Sequence, residues 1–467
     1  MDYSIEDKIL SFIDDTKNVP LDVENIVKMS FIDTLGVLVA SNKFDQVKKF
    51  TKICHSYGGE EESTIFGHER KVPDIIAALA NGTAAHSFDF DDTHLGSAMH
   101  LGCVGVPVAL AVGEKTSAQG KEVIDALALA YEVAIKIGLV APKQLHIRGF
   151  HTTSVLGVFL SAIVAGRLLK LSKEQLSAAL GIAASFSSGI FQSVDEGEWV
   201  KPMHSGWAAH AGVFAAKMAK NGFEGPHYFL SGKWGIFNTF LNNIKLNQSA
   251  ISNIGEQWDV LNLAFKPYPS CHATHSAIDA ALLLRSKGVT PSSIEHVKFF
   301  TNEHMYYLVL DPIINKTHPK TDYEAKFSIP YTFSVALLNG SVKVDDFNSE
   351  KIASKDVLNL TSRVEGVLDH DLDKYYTEEQ NPIKLEVSLK DGSSQHLEII
   401  DHKGTPRNPM TMEDIKEKFR LNTEPITGKD ISEKILHLSS NIEDVNIADL
   451  VRLVNVGIIK RKHELAT

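Results

Sequence analysis

Cysteine is scarce in this chain of 467 residues: Cys54, Cys103 and Cys271 are the whole supply. Three widely spaced thiols, odd in number, fit neither a disulfide framework nor a thiolate zinc site, so a reducing compartment is expected. Blocks of basic residues are lacking too. With 47 Lys and Arg against 58 Asp and Glu the formal charge is −11, and no run of cations offers the concentrated positive surface that nucleic-acid phosphates require. The longest apolar stretch, Ser154 to Leu169, is broken by Ser161, Gly166 and Arg167 and falls short of the roughly 20 residues that span a bilayer. The opening MDYSIEDKILSF has neither the basic start nor the long apolar run of a signal peptide, and it is too acidic for a typical organellar transit peptide. A cytoplasmic protein without a membrane segment is predicted.

What is present is an ordinary globular composition, 43% hydrophobic and 22% charged, on a length that favours two domains. Up to about residue 265 the pattern is helical. Ser4 with Asp7, and Ser172 with Gln175, have the spacing of capping boxes. Apolar residues recur at helical period through Ile26, Met29, Ile32 and Leu38, and again over Lys121 to Ala141. Ala- and Gly-rich stretches at 77–85, 178–189 and 208–216 predict helices buried on several faces. After Cys271 the character changes: a helix over about 276–287 precedes a strand at Glu295–Thr301, and Ile383–Leu389, Lys390-Asp-Gly392 and His396–Ile400 form a hairpin. Thr411 with Asp414 then caps a return to helix. The expected fold is mostly α, with a large all-α helical domain from residues 1–267 and 404–467 and an inserted smaller α/β lid domain at 268–403.

Four stretches concentrate polar chemistry. In His86-Ser-Phe-Asp-Phe-Asp-Asp-Thr-His94, followed by His100, a continuing helix would set His86, Asp89 and Thr93 on one face. The plainer reading is a hydrated helix end, and a metal site from Asp89, Asp92, His94 and His100 is a weaker third. Arg148-Gly-Phe-His151-Thr-Thr-Ser154 opens an apolar helix whose N-terminal amides favour an anion, or merely caps it. Glu198-Trp-Val-Lys201-Pro-Met-His204 joins two small-residue segments, so Lys201 is expected to be buried and therefore paired, with Asp195, Glu196 or Glu198 or with an anion. Phe265-Lys266-Pro-Tyr-Pro-Ser-Cys-His272-Ala-Thr-His275 lies at the inferred domain boundary, where it serves either a cleft or a rigid hinge.

Taken in order, HSFDFDDTH, GFHTTS, WVKPMHSGWAAHAG, KPYPSCHATHSAIDAA, AKFSIPYTFSVALLNG and GTPRNPMT give the chain a resemblance to the MmgE/PrpD family over nearly its whole length. That family includes 2-methylcitrate dehydratases, cis-aconitate decarboxylases and iminodisuccinate epimerases. The resemblance implies the helical domain with its inserted lid, a homodimer, no organic cofactor, no required metal, and a small polycarboxylate substrate. Carried over by motif, it places the catalytic groups at Asp89, Thr93 and His100 and the substrate-binding groups at His151, Lys201, Lys266 and His272. Two departures stand out. The Thr93 to His100 spacing is one residue longer than in the animal decarboxylases, and their His in the KPYP-like segment aligns with Cys271, one place before His272.

Chemistry on such substrates builds negative charge beside a carboxylate, and Lys201 and Lys266 would supply the opposite sign on an acidic protein. His100, with an ordinary pKa near neutrality, is the expected proton donor or acceptor. Asp89 and Thr93 would orient it, or Asp89 would itself be the base of a dehydratase. The expected reaction is cofactor-independent decarboxylation of cis-aconitate, ahead of 2-methylcitrate dehydration and of epimerisation; a non-enzymatic helical binding protein is disfavoured because all four clusters keep their polar residues.

Overall fold

The computed structural model describes residues 4–242, 244–377 and 380–466. The principal helices are α1 (Leu21–Ala40), α2 (Asp74–Ala85), α3 (Gly102–Thr116), α4 (Gly120–Leu139), α5 (Thr152–Leu168), α6 (Lys201–Lys220), α7 (His275–Ser286), α8 (Ile329–Asn339) and α9 (Met412–Thr427). All three predicted capping boxes are present, at Ser4, Ser172 and Thr411. None of the described helices is long and apolar enough to cross a membrane.

One hydrophobic core gathers side chains from Ile9 to Phe265 together with Met410 to Ile458, so the C-terminal helices pack back onto the N-terminal ones. Helix α5 is buried along all of its length except Arg167. It packs on α6, which packs in turn on α2. Small residues permit that approach. A Cβ on Gly206 of α6 would meet Thr83 Oγ1 at 2.1 Å and the Leu79 carbonyl at 2.3 Å, so glycine is required where the two backbones cross. This contact fixes the start of α6, and with it Lys201, relative to the end of α2.

A second core runs from Ala273 to Val387, with α7 and α8 packed together. Its sheet comprises β1 (Ile294–Thr301), β2 (Val364–Leu368), β3 (Ile383–Leu389) and β4 (Ser394–Ile399) in the order β2-β1-β3-β4. β1 runs parallel to β2, while β3 is antiparallel to both β1 and β4. The predicted hairpin is there, its second strand starting two residues earlier. Strand β2 was not expected from the sequence.

The chain passes between the two cores twice, and the passages touch. Phe265 N–H donates to the Gly404 carbonyl at 2.9 Å. Gly404 has φ +95°, and a Cβ there would fall 1.9 Å from the Phe265 carbonyl oxygen, so no other residue fits this crossing.

Candidate active site

Helix α2 does not continue through the DFDD motif. It ends at Ala85, and Asp89 adopts a left-handed conformation with φ +53°. The helical face expected to align His86, Asp89 and Thr93 is therefore absent, and the segment is an irregular buried loop. Its polar side chains offer the backbone other partners. Ser87 Oγ donates to the Ala84 carbonyl at 2.8 Å, and Asp92 Oδ1 accepts the Leu101 and Gly102 amides at 3.1 and 2.8 Å. Asp92 thus caps α3 from ten residues upstream. Burial pushes its carboxyl up to about 7, against the opposing hydrogen bonds from Ser30 and Gly102. His94 turns to Ser97, at 3.0 Å. Asp89, Asp92, His94 and His100 consequently do not form the metal site considered above.

The loop is held from three sides. Thr93 and Ala264 exchange backbone hydrogen bonds of 2.9 and 2.8 Å, a short antiparallel bridge that carries Lys266 to the loop. From α9, Lys418 Nζ donates to the Phe90 carbonyl at 2.6 Å and pairs with buried Asp33 at 2.6 Å. From α6, Lys201 Nζ meets Asp89 Oδ1 at 2.5 Å. Lys266 Nζ completes the clamp, 3.0 Å from Asp89 Oδ2 and 2.8 Å from the Asp89 carbonyl. Lys201, Lys266 and Asp89 are all at least 95% buried. Burial alone would raise the Asp89 carboxyl, but Lys201 and then Lys266 overcome it and hold it well below the usual range. The partner of Lys201 is therefore an aspartate 112 residues away, rather than one of the acids close to it in sequence.

Histidines surround this clamp. His86 Nδ1 bonds both Asp91 carboxylate oxygens at 2.9 Å. The His100 ring lies 4.7 Å from that of His86 and 6.3 Å from that of His151. His100 Nδ1 is 2.8 Å from the Asp92 carbonyl and 3.1 Å from Thr93 Oγ1. A carbonyl only accepts, so the proton of neutral His100 sits on Nδ1 and Nε2 keeps its lone pair. Burial is the main reason that His100 is held well below its ordinary pKa; Asp91 opposes this, while Lys201 adds to it. Thr153 Oγ1 fixes the His100 backbone, accepting its N–H at 3.0 Å. His151 precedes α5 and lies 3.1 Å from His204, Nδ1 to Nδ1.

A cavity of about 430 Å³ has Asp89, Thr93, His100, His151, Lys201, Lys266 and His272 among its walls. Every site residue expected from the sequence is thus brought to the same space. Other lining residues were not foreseen, among them His146, Phe191, His304, Tyr307 and Tyr323. Tyr323 stands two residues before the AKFSIPY motif, which is the signal that could have found it. His86 and Asp91 lie behind the lining as a pair, which a continuing helix would have kept on different faces. With His86 and His100 neutral, Asp89 and Asp91 balance Lys201 and Lys266, so the resting centre is closer to neutral than to cationic.

Comparison with known proteins agrees with the motif order. The MmgE/PrpD N-terminal domain matches residues 7–249 and the MmgE/PrpD C-terminal domain matches residues 268–444. The cis-aconitate decarboxylase of Homo sapiens is 29% identical over 434 residues, covering 90% of this chain and 87% of that protein. That of Mus musculus is 28% identical over 431 residues, covering 90% and 86%. The mitochondrial 2-methylcitrate dehydratase of Yarrowia lipolytica is 25% identical over 476 residues, covering 93% and 86%.

Proposed function

The chain belongs to the MmgE/PrpD family, and from that membership and the clamp at Asp89 we propose a cofactor-independent lyase of di- or tricarboxylates, with cis-aconitate decarboxylation as its reaction. The observation that carries this reading is the convergence of two buried ammonium groups and the unprotonated Nε2 of His100 on one cavity. Lys201 and Lys266 hold substrate carboxylates, and His151 adds a neutral hydrogen-bonding group. In the reaction, the bond from the methylene carbon to its carboxylate breaks and CO₂ leaves. The released pair forms a new C=C bond, and the former alkene pair moves to the carbon beside a second carboxylate. The lysines stabilise that enediolate-like charge. His100 then protonates this carbon. One proton is consumed per turnover, and because neutral His100 has none on Nε2, it must acquire one from solvent as the trianion enters and offsets the fields of Lys201 and Lys266.

A second reading, dehydration of 2-methylcitrate, is favoured by one observation: neutral His100 presents its base form without prior proton uptake. There His100, or Asp89, removes a C–H proton and the hydroxyl leaves as water. The segment 268–403 is read as a lid over the cavity, and Met203, Trp207 and Phe214, exposed on the outer side of α6, as part of a subunit contact in a homodimer. Proton NMR in D₂O with cis-aconitate, 2-methylcitrate, citrate and iminodisuccinate tests the reaction. Loss of CO₂ from cis-aconitate supports the first reading, loss of water from 2-methylcitrate replaces it with the second, and deuterium exchange without net conversion points to epimerisation. No change with any of the four refutes the proposal.

A further inference from the structure

At the cavity wall, where the two passages between the cores touch, three histidines face one another: His272, which lines the cavity, and His275 on the outgoing passage of chain and His402 on the returning one. Their ring centroids are 4.8, 5.3 and 5.1 Å apart. One nitrogen from each ring lies within 4.8 Å of the other two. His275 and His402 are fully buried and His272 is 7% exposed.

The hydrogen bonds decide which nitrogens are available. His275 Nε2 is 3.2 Å from the Ser270 carbonyl, and His402 Nδ1 is 2.8 Å from the Lys403 carbonyl. Since carbonyls only accept, both of these nitrogens carry the proton, and His275 Nδ1 and His402 Nε2 are left with lone pairs. Neither of those atoms, nor either nitrogen of His272, has a hydrogen-bond partner among the described residues. Each ring thus buries nitrogen without a partner, within 4.8 Å of the neighbouring rings, and such packing is unfavourable unless something accepts the lone pairs.

We propose that His272, His275 and His402 form a binding site for a divalent transition-metal ion of the zinc class. Imidazole nitrogen suits Zn²⁺, and three histidines are a sufficient protein ligand set with a fourth position left for water. The backbone carbonyls of Ser270 and Lys403 act on the far nitrogens as the outer partners of metal-bound histidines usually do, fixing tautomer and ring orientation. Zn–N bonds of 2.0–2.1 Å in a tetrahedron set the nitrogens about 3.3 Å apart, so the rings would close by small rotations. Charge is favourable on one side and adverse on the other. Asp279 and Asp401 act on His402, while Lys266, itself paired with Asp89, faces His272 and His275. The ion would tie the outgoing chain to the returning chain beside the Phe265–Gly404 hydrogen bond. This inference does not rest on the lyase reading.

The test uses the full chain, stripped with a chelator and titrated with Zn²⁺ by calorimetry and with Co²⁺ by visible spectroscopy. One ion per chain is expected, with the ligand-field bands of a four-coordinate Co²⁺ site and a rise in Tm on Zn²⁺ addition. His275→Gln and His402→Asn each retain an N–H toward the same carbonyl but exchange the imidazole nitrogen for an amide oxygen, a poorer ligand for zinc, so they separate metal binding from folding. Each should weaken Zn²⁺ binding by more than about a hundredfold, beyond the range for loss of an outer-shell partner. His86→Asn, in the separate group formed by His86, His100 and His151, should leave the stoichiometry unchanged. The proposal is overturned if the wild-type chain takes up no stoichiometric Zn²⁺, if both His275→Gln and His402→Asn bind it as the wild type does, or if His86→Asn alone abolishes binding.

Discussion

Replacing Lys201 by Met removes one ammonium from the clamp while keeping most of the aliphatic stem that fills the start of α6. A substrate carboxylate about 4 Å from Nζ gains roughly 4 kcal/mol from the charge pair at an effective dielectric near 20. Desolvation returns part of this, and loss of a buried charge-assisted contact usually costs a net 2–3 kcal/mol. In rate terms that is a fall in kcat/KM of about 30- to 150-fold. Lys266 still faces Asp89 Oδ2 at 3.0 Å, so the carboxylate keeps one partner and the fold should survive with a lowered Tm. The assay is CO₂ release from cis-aconitate over a range of concentrations, beside thermal unfolding of the same preparations. Lys201→Arg, which restores the charge with a different shape, should recover part of the loss. If Lys201→Met remains folded and keeps kcat/KM within threefold of the wild type, the lysine does not hold substrate and the electrostatic account fails.

Binding of cis-aconitate should take up protons, because His100 is held neutral by its surroundings until the anion arrives; calorimetry in buffers of different ionisation enthalpy reads this, and His100→Asn should reduce the uptake and lower turnover by more than about tenfold, the low end of general acid–base contributions being near a hundredfold. Asp92 has a folded pKa of about 7, raised from an unfolded value near 3.8, so it binds a proton more tightly when folded. Its contribution is full below about pH 4 and is lost as pH rises through about 7. Asp92→Asn should therefore flatten the fall of Tm between pH 5 and pH 8, and an unchanged slope would refute the assignment. Gly206→Ala should destabilise the chain by about 1–3 kcal/mol through overpacking and lower activity in whatever remains folded, since the clash with Thr83 and Leu79 displaces the helix bearing Lys201; wild-type Tm and activity together would exclude the tight crossing.

Local chemistry was the legible part of the fold. The capping boxes at Ser4, Ser172 and Thr411 need only residues three apart, and the hairpin over 383–399 needs only alternation and an Asp-Gly turn. Strand β2 escaped because its partner β1 lies some seventy residues earlier in a parallel pairing, which no turn signals, and Gly366 weakens its strand character. The membership of the site was readable from motifs, but its connections were not. Periodicity carries α2 into the DFDD segment, whereas the chain leaves the helix at Ala85, turns left-handed at Asp89 and lends Asp92 to cap a later helix. Likewise a buried Lys201 was foreseen as needing an acid, but spacing along the chain cannot name one 112 residues away.

By placing Asp89 between Lys201 and Lys266, the protein keeps an internal counter-ion for its own cations. Small inorganic anions therefore meet a pocket with little standing pull and are poor occupants of it. Under the proposed reaction a trianion would gain its hold only by bringing a proton along, and decarboxylation would then leave a dianion with one charge fewer to retain it. Retention would thus weaken at the step where that product must depart, and the aspartate that quiets the pocket would also help to empty it.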